Sequence, residues 1–353
     1  MSGGVDSSLT AALLRDRGFE VIGVTMQIWP SDDPEKELDQ GGCCSLSAVN
    51  DARRVADTLD IPFYVMNFRD LFEQKVINLF ISEYLSGRTP NPCIACNRFV
   101  KFEAFLARAE ALGADYIATG HYARISFDPD RERYILKKAR DSRKDQTYVL
   151  YNMTQDQLSK TLMPLGEYTK DEVRGMAADY GLKVAYKPES QEICFVTDND
   201  YHRFMREKVD ADIKPGPFLD TAGNVLGRHT GLAYYTVGQR KGLGIAFGEP
   251  MYVVGIDHER NAVILGRHDE VFGRELTAVD NNFILYENIE SPLRVQAKIR
   301  YGARPADALL TPGEAGRVHL EFTEPQRAIT PGQAVVYYQE DDVVGGGTIV
   351  ASG

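Results

Sequence analysis

The chain has 353 residues, of which 43% are hydrophobic and 26% charged, which is the composition of a globular protein of two or three domains. The net charge of −11 argues against a protein that coats nucleic acid non-specifically, although it leaves room for a local basic face. The sequence has no apolar run long enough to span a bilayer, and its start lacks the pattern of a signal peptide. We therefore expect a cytoplasmic protein without a membrane partner.

The first part of the chain alternates between predicted helices and predicted strands. Apolar residues with helical spacing predict helices over 4–17, 45–59, 69–85 and 98–112. Apolar runs rich in β-formers predict strands over 19–29, 62–68 and 114–123, and helical character continues over 146–158 and 169–181. Such alternation implies parallel βαβ units, so we expect an α/β fold with a doubly wound parallel sheet.

The pattern changes to short β segments after about residue 208. The segments 214–227 and 251–266 are predicted hairpins, because Gly, Asn and Asp stand at their turns. Short alternating segments continue from about residue 276. We therefore predict an α/β domain over 1–208, a small central β domain over 209–275 and a C-terminal β domain over 276–353.

The string SGGVDSS at residues 2–8 opens the first predicted helix. Its two glycines let the backbone approach an anion, and the helix N-terminus supplies N–H groups and a positive dipole end. The hydroxyls of Ser2, Ser7 and Ser8 add donors, and Asp6 is compatible with a polyphosphate when Mg²⁺ is present. A Ser/Gly-rich helix cap without a ligand is the alternative. The complete string favours phosphate binding, although it is not the usual P-loop of kinases and GTPases.

Two of the five cysteines, Cys93 and Cys96, are three residues apart in the string NPCIACN, just before a predicted helix. Such a pair is typical of half a metal site, a redox pair or a catalytic thiol centre, and thiols near a helix N-terminus have a lowered pKa. A third thiol, Cys194, lies far along the chain. A structural zinc would need Cys43 and Cys44 as further ligands, but adjacent ligands are awkward and these thiols are more typical of packing or loop positions.

Several strings in chain order carry a family resemblance that spans nearly the whole chain. They are MSGGVDSS, VTMQIWP, NPCIACNRFVKF, ATGHYAR, KDQTYVLY, ESQEICFV, YYTVGQRKGLGI and IRY. The first alone is similar to the pyrophosphate loop of the N-type ATP pyrophosphatases. Together they resemble the bacterial tRNA-specific 2-thiouridylases of that superfamily.

The resemblance implies a fold and a reaction. The fold is a PP-loop ATPase domain of the adenine nucleotide α-hydrolase type, followed by two small β domains, the last a β-barrel. ATP with Mg²⁺ adenylates the C2 oxygen of the wobble uridine in tRNA for Lys, Glu or Gln. A persulfide sulfur, supplied by a relay protein or a cysteine desulfurase, then replaces that oxygen and gives 2-thiouridine, AMP and pyrophosphate.

The resemblance also implies roles for individual residues. Cys96 matches the nucleophile and Cys194 the persulfide carrier, and the two can form a transient disulfide. The predicted ATP-binding residues are Ser2, Gly3, Gly4, Val5, Asp6, Ser7, Ser8, Met26 and Gly120. The predicted residues at the target base are Asn91, Pro92 and Cys93, and the predicted tRNA contacts are His121, Lys144, Asp145, Gln146, Arg300, Tyr301 and Gln333.

The sequence departs from the family pattern in two places. Cys93 stands where many members have an Asp, and with Cys96 and Cys194 it resembles the ligand set of related iron–sulfur tRNA thiolases. The sequence leaves a four-iron cluster and a plain persulfide relay equally open. In addition, Met1 falls inside the motif, where the family has a β-strand, so the first strand of the sheet is expected to be missing.

Two other functions compete with tRNA thiolation. An amide-forming synthetase of the same superfamily would release AMP without tRNA, but it has no need of three thiols. A non-catalytic RNA-binding or iron–sulfur sensor protein would not need an intact phosphate loop. The basic run 137–144 is by default a solvated face, and tRNA phosphate contact becomes the better interpretation only beside a tRNA-modifying site.

Overall fold

The computed structural model describes residues 1–28, 46–188, 193–196, 198, 200–209, 213–245 and 248–352. Cys43 and Cys44 lie outside the described residues. Two compact units are present. The first comprises Met1–Ile77, Pro92–Asp200 and Asp341–Val343, and the second comprises Asn78–Asn91, Tyr201–Glu340 and Val344–Gly353. Within the described part, no helix has the length and apolar character needed to cross a membrane.

The helices follow the predicted pattern in the first half of the chain. The α-helices are α1 Val5–Asp16, α2 Leu46–Leu59, α3 Arg69–Phe72, α4 Asn78–Leu85, α5 Pro92–Ala95, α6 Leu106–Ala111, α7 Gln155–Ser159, α8 Lys170–Asp179 and α9 Tyr201–Lys208. Two π-helical segments are Glu73–Ile77 and Cys96–Phe105. Short 3₁₀ helices are Thr147–Val149, Pro164–Glu167, Lys183–Tyr186, Leu232–Tyr234, Asp269–Val271 and Glu314–Gly316.

The strands fall into a first group of mainly short strands and a second group that extends to the C-terminus. Those of the first group are β1 Gly23–Gln27, β2 Phe63–Asn67, β3 Ile117–Ala118, β4 Ala123–Asp128, β5 Arg133–Lys138 and β6 Thr161–Leu162. Those of the second group are β7 Gly216–Asp220, β8 Val225–His229, β9 Tyr252–Asp257, β10 Ala262–Gly266, β11 Phe272–Phe283, β12 Leu293–Lys298, β13 Ala306–Pro312, β14 Val318–Arg327, β15 Ala334–Gln339 and β16 Asp342–Ser352.

The first unit contains the parallel strands that the βαβ pattern predicts. β1 pairs with β2 in parallel, with Gly23 opposite Phe63, and β3 pairs with β6 in parallel, with Ile117 opposite Thr161. Among the strands that the structure describes, none joins these two pairs into one continuous sheet.

The core of the first unit gathers around α1. Its apolar residues Val5, Leu9 and Ala12 recur at helical spacing and are buried, so α1 presents one continuous apolar stripe. The same core cluster includes residues of α2 and α8, namely Val55, Leu59, Val173 and Ala177. Packing therefore fixes the position of the helix that begins directly after the glycine loop.

The antiparallel hairpin β4–β5 of the first unit was not predicted from the sequence. Its residues pair from Ala123 with Lys138 to Asp128 with Arg133. Basic and acidic side chains fill much of 124–138, so the apolar pair Ile135 and Leu136 is too short to give a strand pattern. The carbonyl of Asp341 accepts the Lys138 N–H at 2.8 Å and ties the segment Asp341–Val343 to this hairpin.

The second unit is built from two β structures. A four-stranded sheet has the order β8-β7-β10-β9, and its antiparallel pairs β7–β8 and β9–β10 are the two hairpins that the turn residues predict. Six strands in the order β11-β14-β13-β12-β15-β16 form a barrel, which the pairing of β11 with β16 closes. In β14, buried Val318, Leu320 and Phe322 alternate with exposed His319 and Glu321, so one face of the strand fills the barrel interior.

A buried carboxylate connects two parts of the first unit. The side chain of Asp141 accepts two hydrogen bonds from the Arg143 guanidinium at 3.0 Å, and it also accepts the backbone N–H of Lys170 at 3.1 Å. The guanidinium, helped by the N–H groups of Lys170 and Arg143 and opposed by burial, lowers the pKa of Asp141 to about 2. Asp141 therefore anchors the first residue of α8, which also has a Thr169–Glu172 capping box.

We expect Asp141→Asn to lower the free energy of unfolding by about 2 kcal/mol at pH 7, because the ionised carboxylate is stabilised by nearly two pKa units in the folded protein. A depressed pKa contributes stability above the pKa of the unfolded state, and the contribution is lost as the pH falls toward 2. Urea unfolding of both proteins between pH 7 and pH 3 measures this difference.

The matched control is Asp171→Asn, since Asp171 is exposed and only 3.5 Å from the same guanidinium. An equal loss in the control, or a difference between Asp141→Asn and the unaltered protein that does not shrink toward pH 3, would contradict the assigned role of Asp141.

Candidate functional site

The loop before α1 has a backbone that only glycine tolerates at one position. Gly3 has a φ of 66°, and a Cβ there would lie 2.3 Å from the carbonyl oxygen of Ala48 in α2. Gly4 is the N-cap of α1 and provides no side chain to cap it. The N–H groups of the first turn are therefore presented at the helix N-terminus in the arrangement that binds anions.

The serine hydroxyls of this loop divide into two kinds. Ser8 is fully buried, and its hydroxyl donates to the Gly4 carbonyl at 2.8 Å, so it stabilises the first turn. Ser2 is exposed and Ser7 half-buried, with the Ser2 N–H donating to the Ser7 hydroxyl at 3.0 Å. Ser2 and Ser7 are thus the hydroxyls that remain near the surface of the predicted phosphate loop.

The carboxylate of Asp6 is held by two side chains from elsewhere in the first unit. The Lys170 ammonium lies 2.7 and 2.8 Å from its two oxygens, and the Tyr122 hydroxyl donates to one of them at 2.7 Å. The positive charge next to the Asp6 carboxylate is therefore that of a lysine, and Mg²⁺ at this loop stays a prediction. Across the described residues, no three His, Cys, Asp or Glu side chains are grouped so that they could hold a metal ion.

The structure brings Gly120 against the loop, and both segments are predicted to bind ATP. A Cβ on Gly120 would lie 2.8 Å from the backbone of both Asp6 and Ser7. Met26 is half-buried on β1, next to Thr25, whose hydroxyl donates to the carbonyl of Met1 at 2.6 Å. Both predicted nucleotide neighbours therefore belong to elements that contact the loop or the residue before it.

His121 follows Gly120 and is half-buried. Its Nδ1 is 2.9 Å from the Thr119 hydroxyl, and its ring centre is 6.0 Å from that of Phe102 in the π-helical segment that Cys96 begins. Burial, together with the positive charge of Lys101, lowers the pKa of His121 well below its ordinary value. The imidazole is thus neutral at physiological pH and can both donate and accept a hydrogen bond.

The three cysteines differ in their surroundings. Cys93 is exposed on α5, whereas Cys96, at the start of the π-helical segment, and Cys194 are half-buried. The ring centres of Phe195 and Phe72 are 5.9 Å apart. Phe72 belongs to α3, which packs against the segment Cys96–Phe105. Phe195, the neighbour of Cys194, therefore contacts a helix that packs against the segment containing Cys96. That segment is π-helical, and π-helical turns are frequent at functional sites.

The predicted tRNA-binding segment 144–146 is tied to Tyr122, which lies between β3 and β4, two residues after Gly120. Gln146 accepts the Tyr122 N–H through its side-chain oxygen at 2.9 Å and donates its own N–H to the Tyr122 carbonyl at 2.9 Å. Asp145 accepts the Ala139 N–H at 3.1 Å and the Thr147 hydroxyl at 2.7 Å. Lys144 lines a surface depression together with Arg143, Lys170, Asp171 and Arg174.

In the second unit, Gln333 lies beside the segment that leads to Asn91. Its side-chain amide donates to the Thr89 carbonyl at 2.8 Å, and Gly332 packs against the backbone of Thr89. Arg300 is half-buried and Tyr301 exposed, with the Lys298 ammonium 5.4 Å from the Tyr301 ring centre. The structure therefore groups Gln333 with the loop before Asn91.

Sequence reasoning missed several residues of this site. They are Tyr122 and Lys170, which hold Asp6, Lys187, whose ammonium lies 3.3 Å from the Gly3 carbonyl, and Asn97, which donates to the Val149 carbonyl at 2.8 Å. Lys170 follows a visible helix cap, but nothing local indicates a partner 164 positions away. Such long-range pairs leave no spacing signal in one sequence.

The chain matches three family models in order. These are a tRNA methyl transferase HUP domain over residues 1–198, a tRNA methyl transferase PRC-barrel domain over 202–267 and an aminomethyltransferase β-barrel domain over 273–349. The tRNA-specific 2-thiouridylase MnmA of Acetivibrio thermocellus is 62% identical over 349 residues, which cover 99% of this chain and 97% of that protein. The chain belongs to the tRNA-specific 2-thiouridylase family.

Other members of the tRNA-specific 2-thiouridylase family give the same result. The 2-thiouridylase MnmA of Moorella thermoacetica is 62% identical, with 99% of this chain and 98% of that protein covered. MnmA 1 of Thermoanaerobacter pseudethanolicus is 61% identical, with coverages of 99% and 96%. These matches confirm the family resemblance and the fold class, whereas the domain boundaries at 208 and 275 stay predictions.

We expect Gly120→Ala to weaken binding of a non-hydrolysable ATP analogue about tenfold or more, because the added methyl group would displace the backbone at Asp6 and Ser7. Isothermal titration calorimetry measures this loss. Gly175→Ala is the matched control, since a Cβ at Gly175 in α8 meets nothing within 4 Å. The control should bind normally and be slightly more stable. Normal binding by Gly120→Ala would contradict the contact between these segments.

Proposed function

We propose that the protein is a tRNA-uridine 2-sulfurtransferase that thiolates the wobble uridine of tRNA for Lys, Glu or Gln and consumes ATP. One observation carries the proposal: a glycine loop shaped for phosphate and a half-buried thiol at the start of a helical segment occur together in the first unit. The relatives named above are tRNA-specific 2-thiouridylases. The proposed substrates, tRNA and ATP, and the proposed sulfur-relay partner agree with the cytoplasmic location that the sequence predicts.

The nucleotide step relies on the loop Ser2–Ser8. A uridine C2 oxygen is a poor leaving group, and transfer of AMP from ATP to that oxygen makes it a good one. The first-turn N–H groups of α1 and the hydroxyls of Ser2 and Ser7 bind the phosphates, while Gly120 closes the loop from the other side. Mg²⁺ bound to ATP would neutralise phosphate charge at this loop, where the carboxylate of Asp6 is paired with Lys170.

The sulfur step relies on two thiols. A relay protein or cysteine desulfurase transfers a sulfane sulfur to Cys194. The terminal persulfide sulfur attacks C2 of the activated uridine and AMP leaves, which links Cys194 to the base through a disulfide. The Cys96 thiolate then attacks the Cys194 sulfur, releases 2-thiouridine and forms a Cys96–Cys194 disulfide that an external thiol reduces.

Recognition of tRNA requires the wobble base to leave its stack and enter a pocket. Asn91, Pro92 and Cys93 surround the base in this proposal, and the neutral imidazole of His121 offers a hydrogen bond near the cysteine helix. Lys144, Asp145, Gln146, Arg300, Tyr301 and Gln333 form the proposed tRNA contacts. The backbone bonds made by Asp145 and Gln146 fix the shape of their segment before any tRNA binds.

A four-iron cluster on Cys93, Cys96 and Cys194 is the alternative mechanism. These thiols are part of the described chain, and they are not arranged as a metal-holding group there. We therefore derive no step through a cluster, and the iron assay described below distinguishes it from the persulfide relay. The exposed position of Cys93 is instead suited to a residue beside the base.

The experiment is thiolation of unmodified tRNA by protein purified without oxygen, with ATP, a persulfide donor, and assays of iron and acid-labile sulfide. We expect Cys96→Ser and Cys194→Ser each to lose at least about a thousandfold in rate, since a hydroxyl neither carries a persulfide nor attacks a disulfide. Cys93→Ser should lose less than about tenfold.

Stoichiometric iron that disappears together with activity in Cys93→Ser would replace the persulfide relay by the cluster mechanism. Release of AMP without tRNA would support an amide-forming synthetase. Full thiolation by Cys96→Ser would contradict the role of that thiol in either mechanism.

A further inference from the structure

We propose that Lys170 and Tyr122 are positioning residues of the phosphate loop, which neutralise the Asp6 carboxylate and hold it away from the nucleotide phosphates. This inference rests on the proposed ATP site. It assigns to a lysine the charge compensation that a divalent cation would otherwise supply at Asp6.

The position of Asp6 creates the requirement. Asp6 is the second residue of α1, so its backbone N–H belongs to the first turn that would face an anion. A carboxylate at this position interacts favourably with the positive end of the helix dipole, but it repels a polyphosphate that binds to the same turn. The loop can serve ATP only if this negative charge is compensated or directed elsewhere.

Lys170 provides the compensation from inside the protein. Its side chain is only 7% exposed, and its ammonium lies within 2.8 Å of both oxygens of Asp6. A buried ammonium is costly unless a carboxylate pairs with it, so the two groups depend on each other. With the ammonium turned to Asp6 and buried, Lys170 is a poor candidate for a direct phosphate ligand.

Tyr122 and the surrounding backbone fix the direction of the pair. The hydroxyl of Tyr122 donates to Asp6, and its ring centre is 5.4 Å from the Lys170 ammonium. Gln146 holds the backbone of Tyr122 on both its N–H and its carbonyl, and Asp141 holds the N–H of Lys170. The 141–146 segment thus determines where both partners of Asp6 stand.

The test asks whether removal of the Asp6 carboxylate restores the nucleotide binding that is lost when the Lys170 charge is removed. We would compare the unaltered protein with Lys170→Gln, Asp6→Asn, the double variant Lys170→Gln/Asp6→Asn and Tyr122→Phe. Lys183→Gln is the matched control, because Lys183 is an exposed lysine of the same unit. Binding of a non-hydrolysable ATP analogue would be measured by calorimetry across a series of free Mg²⁺ concentrations, and thermal unfolding would be recorded without nucleotide.

We expect Lys170→Gln to weaken nucleotide binding about 10- to 100-fold, because it leaves an uncompensated carboxylate in the first turn. Removing that carboxylate as well should restore binding in the double variant to within about threefold of the unaltered protein. Tyr122→Phe should weaken binding about threefold, and the Mg²⁺ dependence of Asp6→Asn should match that of the unaltered protein. The melting temperature should follow the same pattern of loss and rescue.

Each contrary result has a defined meaning. Weak binding in both Lys170→Gln and the double variant would make Lys170 a direct phosphate ligand and overturn the inference. A changed Mg²⁺ requirement in Asp6→Asn would make Asp6 a metal ligand and overturn it too. Normal binding by Lys170→Gln would overturn it while leaving the proposed function intact, whereas no binding by the unaltered protein would overturn both.

Discussion

The backbone of residues 3–7 has almost no free space on two sides, and the first unit is arranged around this constraint. Gly3 lies against the carbonyl of Ala48, and Gly120 lies against the backbone of Asp6 and Ser7. Side chains are therefore excluded where α2 and the segment after β3 meet the loop. Because the apolar stripe of α1 is buried behind the loop, the helix cannot shift to relieve a clash, and the first-turn N–H groups stay fixed.

Polar side chains connect this loop to the rest of the proposed site through one segment, 141–149. Asp141 binds the backbone of Lys170, Gln146 binds the backbone of Tyr122, and the Val149 carbonyl accepts the Asn97 amide next to Cys96. The predicted tRNA-binding residues Lys144, Asp145 and Gln146 belong to the same segment. A displacement of this segment would therefore move residues of both the phosphate loop and the cysteine helix, since each hydrogen bond tolerates only a narrow range of distance and angle.

Local patterns explain what could be predicted from the sequence. The helix over 4–17 has both an apolar stripe and a glycine loop, and the hairpins over 214–227 and 251–266 have turn residues between alternating strands, so each carries its own evidence.

The ion pair between Asp6 and Lys170 could not be predicted, because it depends on where α8 is packed relative to α1. For the same reason the sequence alone did not indicate a lysine beside Asp6. Spacing alone also could not show that Cys93 is exposed while Cys96 is half-buried, since both lie within one short string.

The basic run 137–144 shows why composition is a poor guide to nucleic-acid contact. Three of its basic side chains form ion pairs within the first unit: Lys137 with Asp342 at 3.3 Å, Arg140 with Glu172 at 3.2 Å and Arg143 with Asp141 at 3.0 Å. Paired charges contribute little to a long-range field, which fits a chain of net charge −11. Specific recognition of tRNA by this protein should then depend more on the shape of segments such as 141–149 and on the base pocket than on a broad positive surface, because an extruded base is bound by stacking and hydrogen bonds at short range.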